Sequence, residues 1–348
     1  MASPAPETFH GWQATSPTSP LTHRAFTPKP WAETDVDIKI THCGVCASDL
    51  HSMRSGWGPT PYPCTLGHEI VGTAVRVGAQ VRPDIKVGSR VGVGPQGYTC
   101  RQPTCPPCSS GHENYCPHRV ATYGDNYADG AASHGGFADF CRHDSGSVFA
   151  IPEGLGSASA AVMLCAGATV FEPLVEAGVE GKRVGVVGLG GLGHLGVLFA
   201  RALGARTVGE GKRKDALRLG VDTYVATDKE EGWAEKNAAS LDVIVCTVSG
   251  EGMPLKEYLG LLAPRGRFCQ VGIPEKPLPQ LDVMELVLNG TSIGFSDSAS
   301  PGNIRRMLSL AAEKGIEAWT ETRRMEDVNQ VVKDMAEGKA RYRYVLEN

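Results

Sequence analysis

"RVGVVGLGGLG", residues 183–193, is an apolar run leading straight into glycines spaced G-x-G-x-x-G at Gly188, Gly190 and Gly193. On its own the glycine pattern says little. A strand that ends in such a turn and opens a helix is the context a dinucleotide-binding βαβ unit requires. Gly188 permits the tight turn, Gly190 lets the backbone approach a pyrophosphate, and Gly193 lets helix and strand close together. The N-terminus of the helix then turns partial positive charge towards the phosphates, with Leu189, Gly191 and Leu192 completing the loop.

The texture outward from this turn agrees with it. Apolar strands alternate with helical stretches: after 183–187 come "RTVG" (206–209), "TYVAT" (223–227), "LDVIVCT" (241–247), "RFCQVG" (267–272) and "TSIGF" (291–295). Six strands with helices between them predict an α/β fold, a doubly wound parallel sheet of Rossmann type. Glu210 lies about twenty residues beyond the glycines, where an acid would meet the adenosine ribose of NAD, and beside it Lys212, Arg213 and Lys214 could neutralise the 2′-phosphate of NADP. Val271, at the end of the fifth strand, and Ile273, just after it, fall on the same cofactor edge.

Upstream the pattern differs. "DVDIKI" (35–40) alternates with Val36, Ile38 and Ile40 on one face, a half-buried strand, and "EIVGTAVRV" (69–77) and "SRVGVG" (89–94) are similar. Many short strands punctuated by glycine and proline predict a β-barrel up to about residue 150. An Ala-rich helix, capped by Ser157, follows over 157–175. Past Pro301, two amphipathic helices end at Gly315 and Gly338, and "RYRYVL" (341–346) is a last strand.

With 348 residues, the chain is long enough for two domains. Net charge is −4 and the one dense basic run is three residues long, so neither nucleic acid nor an anionic membrane is an expected partner. The uncharged stretch 184–200 is too glycine-rich for a membrane span. The first twenty residues lack the apolar core of a signal peptide, which points to a reducing, cytoplasmic setting. The eleven cysteines, an odd number, are then metal ligands or free thiols rather than disulfides.

Four of them stand in "CRQPTCPPCSSGHENYC" (100–116). Thiolates at Cys100, Cys105, Cys108 and Cys116 would fill a tetrahedral zinc shell and leave no open position, so this cluster reads as structural. Further candidates are dispersed: Cys43 in "THCGVCASDLH", His68 and Glu69 in "LGHEIVG", and Cys165 in "VMLCAGATV". Spacing alone does not connect them.

In that order, "CGVCASDLH", "GHEIVG", the four-cysteine lobe, "MLCAGATVFEPL" and "GLGGLGHLG" resemble the zinc-dependent medium-chain alcohol dehydrogenases. "GHE", "YCPH…TYG" and "ARYRYVL" are most similar to the cinnamyl-alcohol-dehydrogenase-type branch. The resemblance implies a GroES-like β-barrel catalytic domain at 1–153 and 297–348, with a structural zinc lobe at 95–118, around a Rossmann domain at 154–296. It implies a catalytic zinc on Cys43, His68 and Cys165, with Glu69 as a fourth or exchanging ligand and Asp49 orienting His68. Ser48 and His51 would relay the proton, Trp57 and Phe295 would line the substrate pocket, and Arg343 would lie near the pyrophosphate.

The implied activity is hydride transfer between NADP(H), favoured over NAD(H), and primary aromatic or medium-chain alcohols and aldehydes, by a homodimer paired around 283–300. Reduction of a conjugated C=C or iminium substrate, or cofactor binding without turnover, are the alternatives. Two features depart from the family pattern. The first lobe spacing is four residues where two are usual, which raises His112 or His118 as stand-ins for Cys100. The segment after the second Rossmann strand is also shorter and lacks the usual phosphate-reading serine.

Overall fold

The computed structural model describes residues 6–210, 212–227, 229–250 and 252–348, with the Glu210 side chain outside that set. The chain divides into two compact units, one running to Cys165 and resuming at Ser300–Asn348, the other Ala166–Ala299. The boundaries thus fall later than the expected 153/154 and 296/297. A continuous helical run explains the first shift. Ser157–Val162 passes through a π-helical turn at Met163–Gly167 into Ala168–Ala177, so the division falls inside the run. Gly156 rather than Ser157 occupies its N-cap, and the Ser157 hydroxyl instead accepts from Arg90 (3.3 Å). The run is long and apolar enough to cross a membrane, but 83% of its most apolar window is buried inside the fold, as expected of a core helix.

In the first unit, the strand Asp35–Val45 is central. It pairs antiparallel with Glu69–Val77, Phe140–Asp144 and the C-terminal strand Arg343–Glu347, which itself runs parallel to Thr320–Arg324. Arg90–Val93 and Val148–Ala150 extend the sheet beyond Glu69–Val77, and a smaller sheet joins Thr22–Phe26, Phe9–Ala14 and Cys64–Thr65. The tail therefore completes the N-terminal barrel. The expected alternation of 35–40 is present, with Lys39 exposed, but Asp35 and Asp37 on its polar face are buried. Asp35 pairs with Lys29 (2.5 Å) and Asp37 takes a two-pronged contact from Arg142 (2.7 and 3.1 Å), so their charges are compensated inside the fold.

The second unit is the doubly wound sheet. Six parallel strands lie in the order Thr223–Val225, Arg206–Glu210, Arg183–Val187, Leu241–Cys246, Leu262–Gln270, Ser292–Phe295. The first strand in sequence sits third, which is the Rossmann arrangement with its switch point beside Arg183–Val187. Val187, Leu241, Ile244, Cys246, Leu259 and Phe268 form part of its core.

Two barrel histidines carry a pH consequence. His143 is 1% exposed and neither ring nitrogen has a hydrogen-bond partner, so burial drives its pKa down to about 3. His134, stacked on Phe26, is lowered to about 4, again by burial. Both are neutral in the fold, whereas the unfolded chain protonates them near pH 6.5. Unfolded chains therefore bind more protons as pH falls from about 6.5, and stability declines until about pH 3 to 4, each histidine adding a slope of up to about 1.4 kcal/mol per pH unit. His143→Leu is expected to flatten this acid limb in urea-unfolding midpoints between pH 7 and 4.5. An unchanged slope would contradict the assignment.

Candidate metal centres and dinucleotide cradle

Strand Asp35–Val45 ends one residue before Cys46, which is the N-cap of the helix Ala47–Met53. Asp49, at the third position of that helix, folds back on it. Its Oδ2 accepts from the Cys46 amide (2.8 Å), and its Oδ1 accepts from the Gly67 amide and from His68 Nδ1 (both 3.1 Å). An ionised carboxylate only accepts, so Nδ1 carries the proton and the lone pair of His68 is at Nε2. That atom lies 3.2 Å from the Cys165 sulphur, which the π-helical turn presents. Such turns recur at functional sites because they re-aim one residue of a helix.

Cys46, His68, Glu69 and Cys165 form one buried group whose ligand atoms all lie within 4.8 Å of one another. Cys43 is not in it, and the expectation that it binds the metal is corrected to Cys46. Cys43 lies inside the strand with its sulphur packed where Gly67 and Gly136 leave room, and burial raises its thiol well above the ordinary range. The Cys46 thiol behaves oppositely. A hydrogen bond from Cys165, with the charges of Arg343 and His68, holds it well below its usual pKa despite burial. Burial acts most strongly on His68 and disfavours its charge, but Asp49 and Cys46 together outweigh it and raise the imidazole.

Glu69 is fully buried. Arg343, 3% exposed, donates from Nη2 to its Oε1, while Oε2 has no partner. Burial pushes the Glu69 carboxyl up and Arg343 opposes it. An orphaned carboxylate oxygen among two thiols and an imidazole suits a divalent metal of zinc's preferences. Gly44 makes this possible, since a Cβ there would come within 1.9 Å of Glu69 Oε2. Arg343, expected near a pyrophosphate, stands against the metal group, with Nη1 3.9 Å from Cys46 Sγ.

Around the group, the Ser48 hydroxyl is 3.5 Å from Cys46 Sγ, and His51 stacks on the half-exposed Trp57 at 4.6 Å between ring centres. The lobe cysteines also meet. Cys100, Cys105, Cys108 and Cys116 form the second four-ligand group, with sulphurs 3.5–4.0 Å apart in three pairs. Cys100 is therefore in place despite its wider spacing. His112 and His118 are not part of the group. The His112 ring contacts Ser110, and His118 donates its amide to Cys116 Sγ (3.4 Å).

In the second unit, Gly188 adopts φ +84°, and a Cβ on Gly193 would lie 1.8 Å from the Gly188 carbonyl oxygen. A Cβ on Gly190 would meet nothing within 4 Å, leaving open space where a pyrophosphate would sit. Thr247 locks the turn with its one hydroxyl proton, shared between the carbonyls of Val187 and Gly188 (both 2.9 Å). Lys212, Arg213 and Lys214 are exposed at the start of the helix Arg213–Arg218, beside the strand ending at Glu210. Val271 donates its amide to Cys246 at the same edge of the sheet, and Ile273 is exposed. Phe295 ends the edge strand and is 63% exposed.

Residues 32–153 match the alcohol dehydrogenase GroES-like domain, and residues 191–313 match the zinc-binding dehydrogenase domain. The chain belongs to the zinc-binding alcohol dehydrogenases. Within this family it is 39% identical to NADP-dependent alcohol dehydrogenase 6 of Saccharomyces cerevisiae, over 92% of this chain and 91% of that one. It is 41% identical to the probable cinnamyl alcohol dehydrogenase 8A of Oryza sativa, over 97% and 94%. Its fold superposes on a cinnamyl alcohol dehydrogenase of Sorghum bicolor with a TM-score of 0.91 and 38% identity, over 98% and 97% of the two chains. The two Cys-containing groups are the candidate sites for the metals of a zinc-binding dehydrogenase.

The two cysteines of "CGVC" can be separated directly. Cys46→Ser is expected to lower the zinc content by one per chain and reduce turnover to background. Cys43→Ser should keep both zincs and lose only stability, about 1–3 kcal/mol for a buried hydroxyl. Elemental analysis with chemical denaturation reads both. The reverse pattern would restore Cys43 as the ligand.

Proposed function

We propose that this chain interconverts primary aromatic or medium-chain alcohols and aldehydes, with aldehyde reduction by NADPH the favoured direction. The observation that carries the reading is the buried group of Cys46, His68, Glu69 and Cys165, its imidazole tautomer fixed by Asp49. Zinc held there would supply Lewis acidity to the substrate oxygen, and the nicotinamide cofactor would supply the hydride. Ser48, adjoining the group, would exchange a proton with that oxygen, and His51, one helical turn on, would pass it to solvent. Trp57, stacked on His51, supplies an aromatic wall for the substrate.

NADP is favoured by the name of the yeast relative and by the exposed basic trio beside the second Rossmann strand. Homodimer formation is supported by the unpaired side of the edge strand Ser292–Phe295 and by the exposed apolar face of the helix Val283–Asn289, which carries Val283, Met284, Val287 and Leu288. A cytoplasmic location agrees with cysteines grouped as metal ligands and not paired as disulfides, the form expected in a reducing compartment.

NADPH and NADH oxidation against a panel of aldehydes tests the reading, with light scattering on the same sample. The expected result is turnover of aromatic and medium-chain aldehydes with NADPH preferred. A dimer is expected by mass, and a monomer would remove that part. Ser48→Ala should cut kcat by about 100-fold or more, in line with losing a positioned proton carrier. Inert aldehydes together with reduction of an activated C=C or C=N would overturn the substrate class.

A further inference from the structure

The four-cysteine lobe contains a feature that its thiols do not explain. The four residues 101–104 between Cys100 and Cys105 enlarge the first chelate loop, and a longer loop costs more entropy to close around a metal. Arg101, directly after Cys100, has φ +50°, a left-handed conformation that a non-glycine residue holds only where its surroundings enforce it. Its backbone hydrogen-bonds Cys108 inside the lobe, while its side chain is held from outside. The Arg101 guanidinium donates from Nη1 to Oδ1 of Asp144, whose side chain is 5% exposed.

Asp144 is itself fixed. It ends the strand Phe140–Asp144, pairs in register with Asp35 of the central barrel strand, and accepts from the Gly146 amide (2.9 Å). The space for the guanidinium is built in as well. A Cβ on Gly146 would lie 1.3 Å from Arg101 Nη1 and 2.5 Å from its Cζ, and its three nearest neighbours are all Arg101 atoms. Gly146 has no positive φ, so glycine serves here to make room for the arginine and not to relieve the backbone.

We infer that Arg101 is a positioning residue for the structural metal: its clasp on Asp144, seated over Gly146, anchors Cys100 to the barrel and offsets the widened chelate loop. Arg101 touches no metal in this account. It restricts the one cysteine that the longer spacing would otherwise free, so that four sulphurs meet at once. The inference rests on reading the four-cysteine group as a zinc site.

The test is zinc release from the holoenzyme into a chromogenic chelator, with total zinc measured separately. Wild type is expected to hold two zincs per chain. Arg101→Met should release one of them at least about 10-fold faster, the scale on which supporting contacts tune metal sites, and leave the release of the other unchanged. Gly146→Ala should do the same by evicting the guanidinium, and it decides the matter if the methionine variant does not fold. Arg101→Lys, which keeps the charge but not the fork, should fall between. Unchanged release in Arg101→Met and Gly146→Ala would overturn the inference, as would equal acceleration of both zincs, which would mark general destabilisation. A wild type with a single zinc that Cys46→Ser removes would instead overturn the four-cysteine reading, and the clasp with it.

Discussion

The buried carboxylate of Asp49 links three parts of the chain that the metal group needs together. One oxygen holds the Cys46 amide at the start of a helix, and the other holds the Gly67 amide and the His68 ring. A fully buried carboxylate is costly unless it is hydrogen-bonded, and here both oxygens accept from donors. The same bonds that satisfy Asp49 aim one thiol and one imidazole at Cys165. Ligand geometry and the solvation of a buried charge are thus one constraint.

A second buried pair completes the arrangement. Arg343 comes from the last strand of the chain, which adds to the central barrel strand so that Tyr344 faces Val45. This register puts the guanidinium beside Cys46 and on Glu69, more than 270 residues away in sequence. Removing either partner would leave an uncompensated buried charge, at a cost of about 3–5 kcal/mol. Glu69 in turn needs Gly44 opposite it, so the glycine of "CGVC" is explained by the carboxylate across the strand pair.

Much of this was legible in the sequence. The six Rossmann strands announced themselves because parallel strands buried on both faces read as short apolar runs, and the glycines stand in the strand–turn–helix their spacing implied. The lobe was legible because four close cysteines leave few other readings. The motif by itself points to Cys43 as the ligand, wrongly, since Cys46 stands three residues on in the same short motif and burial is similar for the two. The available signal was local: a strand pattern through Cys43, and Ala-Ser-Asp after Cys46, with an acid at the third helical position as a helix start prefers. The burial of Asp35 and Asp37 was not legible, because it depends on Lys29 and Arg142, and Arg142 is distant in sequence. The role of Arg343 depends on a strand register that no local pattern encodes.

The central claim is that Asp49 and the strand end select Cys46, with His68 and Cys165, as the seat of the catalytic metal. Anomalous diffraction at the zinc absorption edge from crystals of the holoenzyme tests it most directly. The account predicts a peak at about 2.3 Å from the sulphurs of Cys46 and Cys165 and about 2.0–2.1 Å from His68 Nε2. A peak bonded to Cys43, or none among these side chains while the lobe is filled, would contradict it.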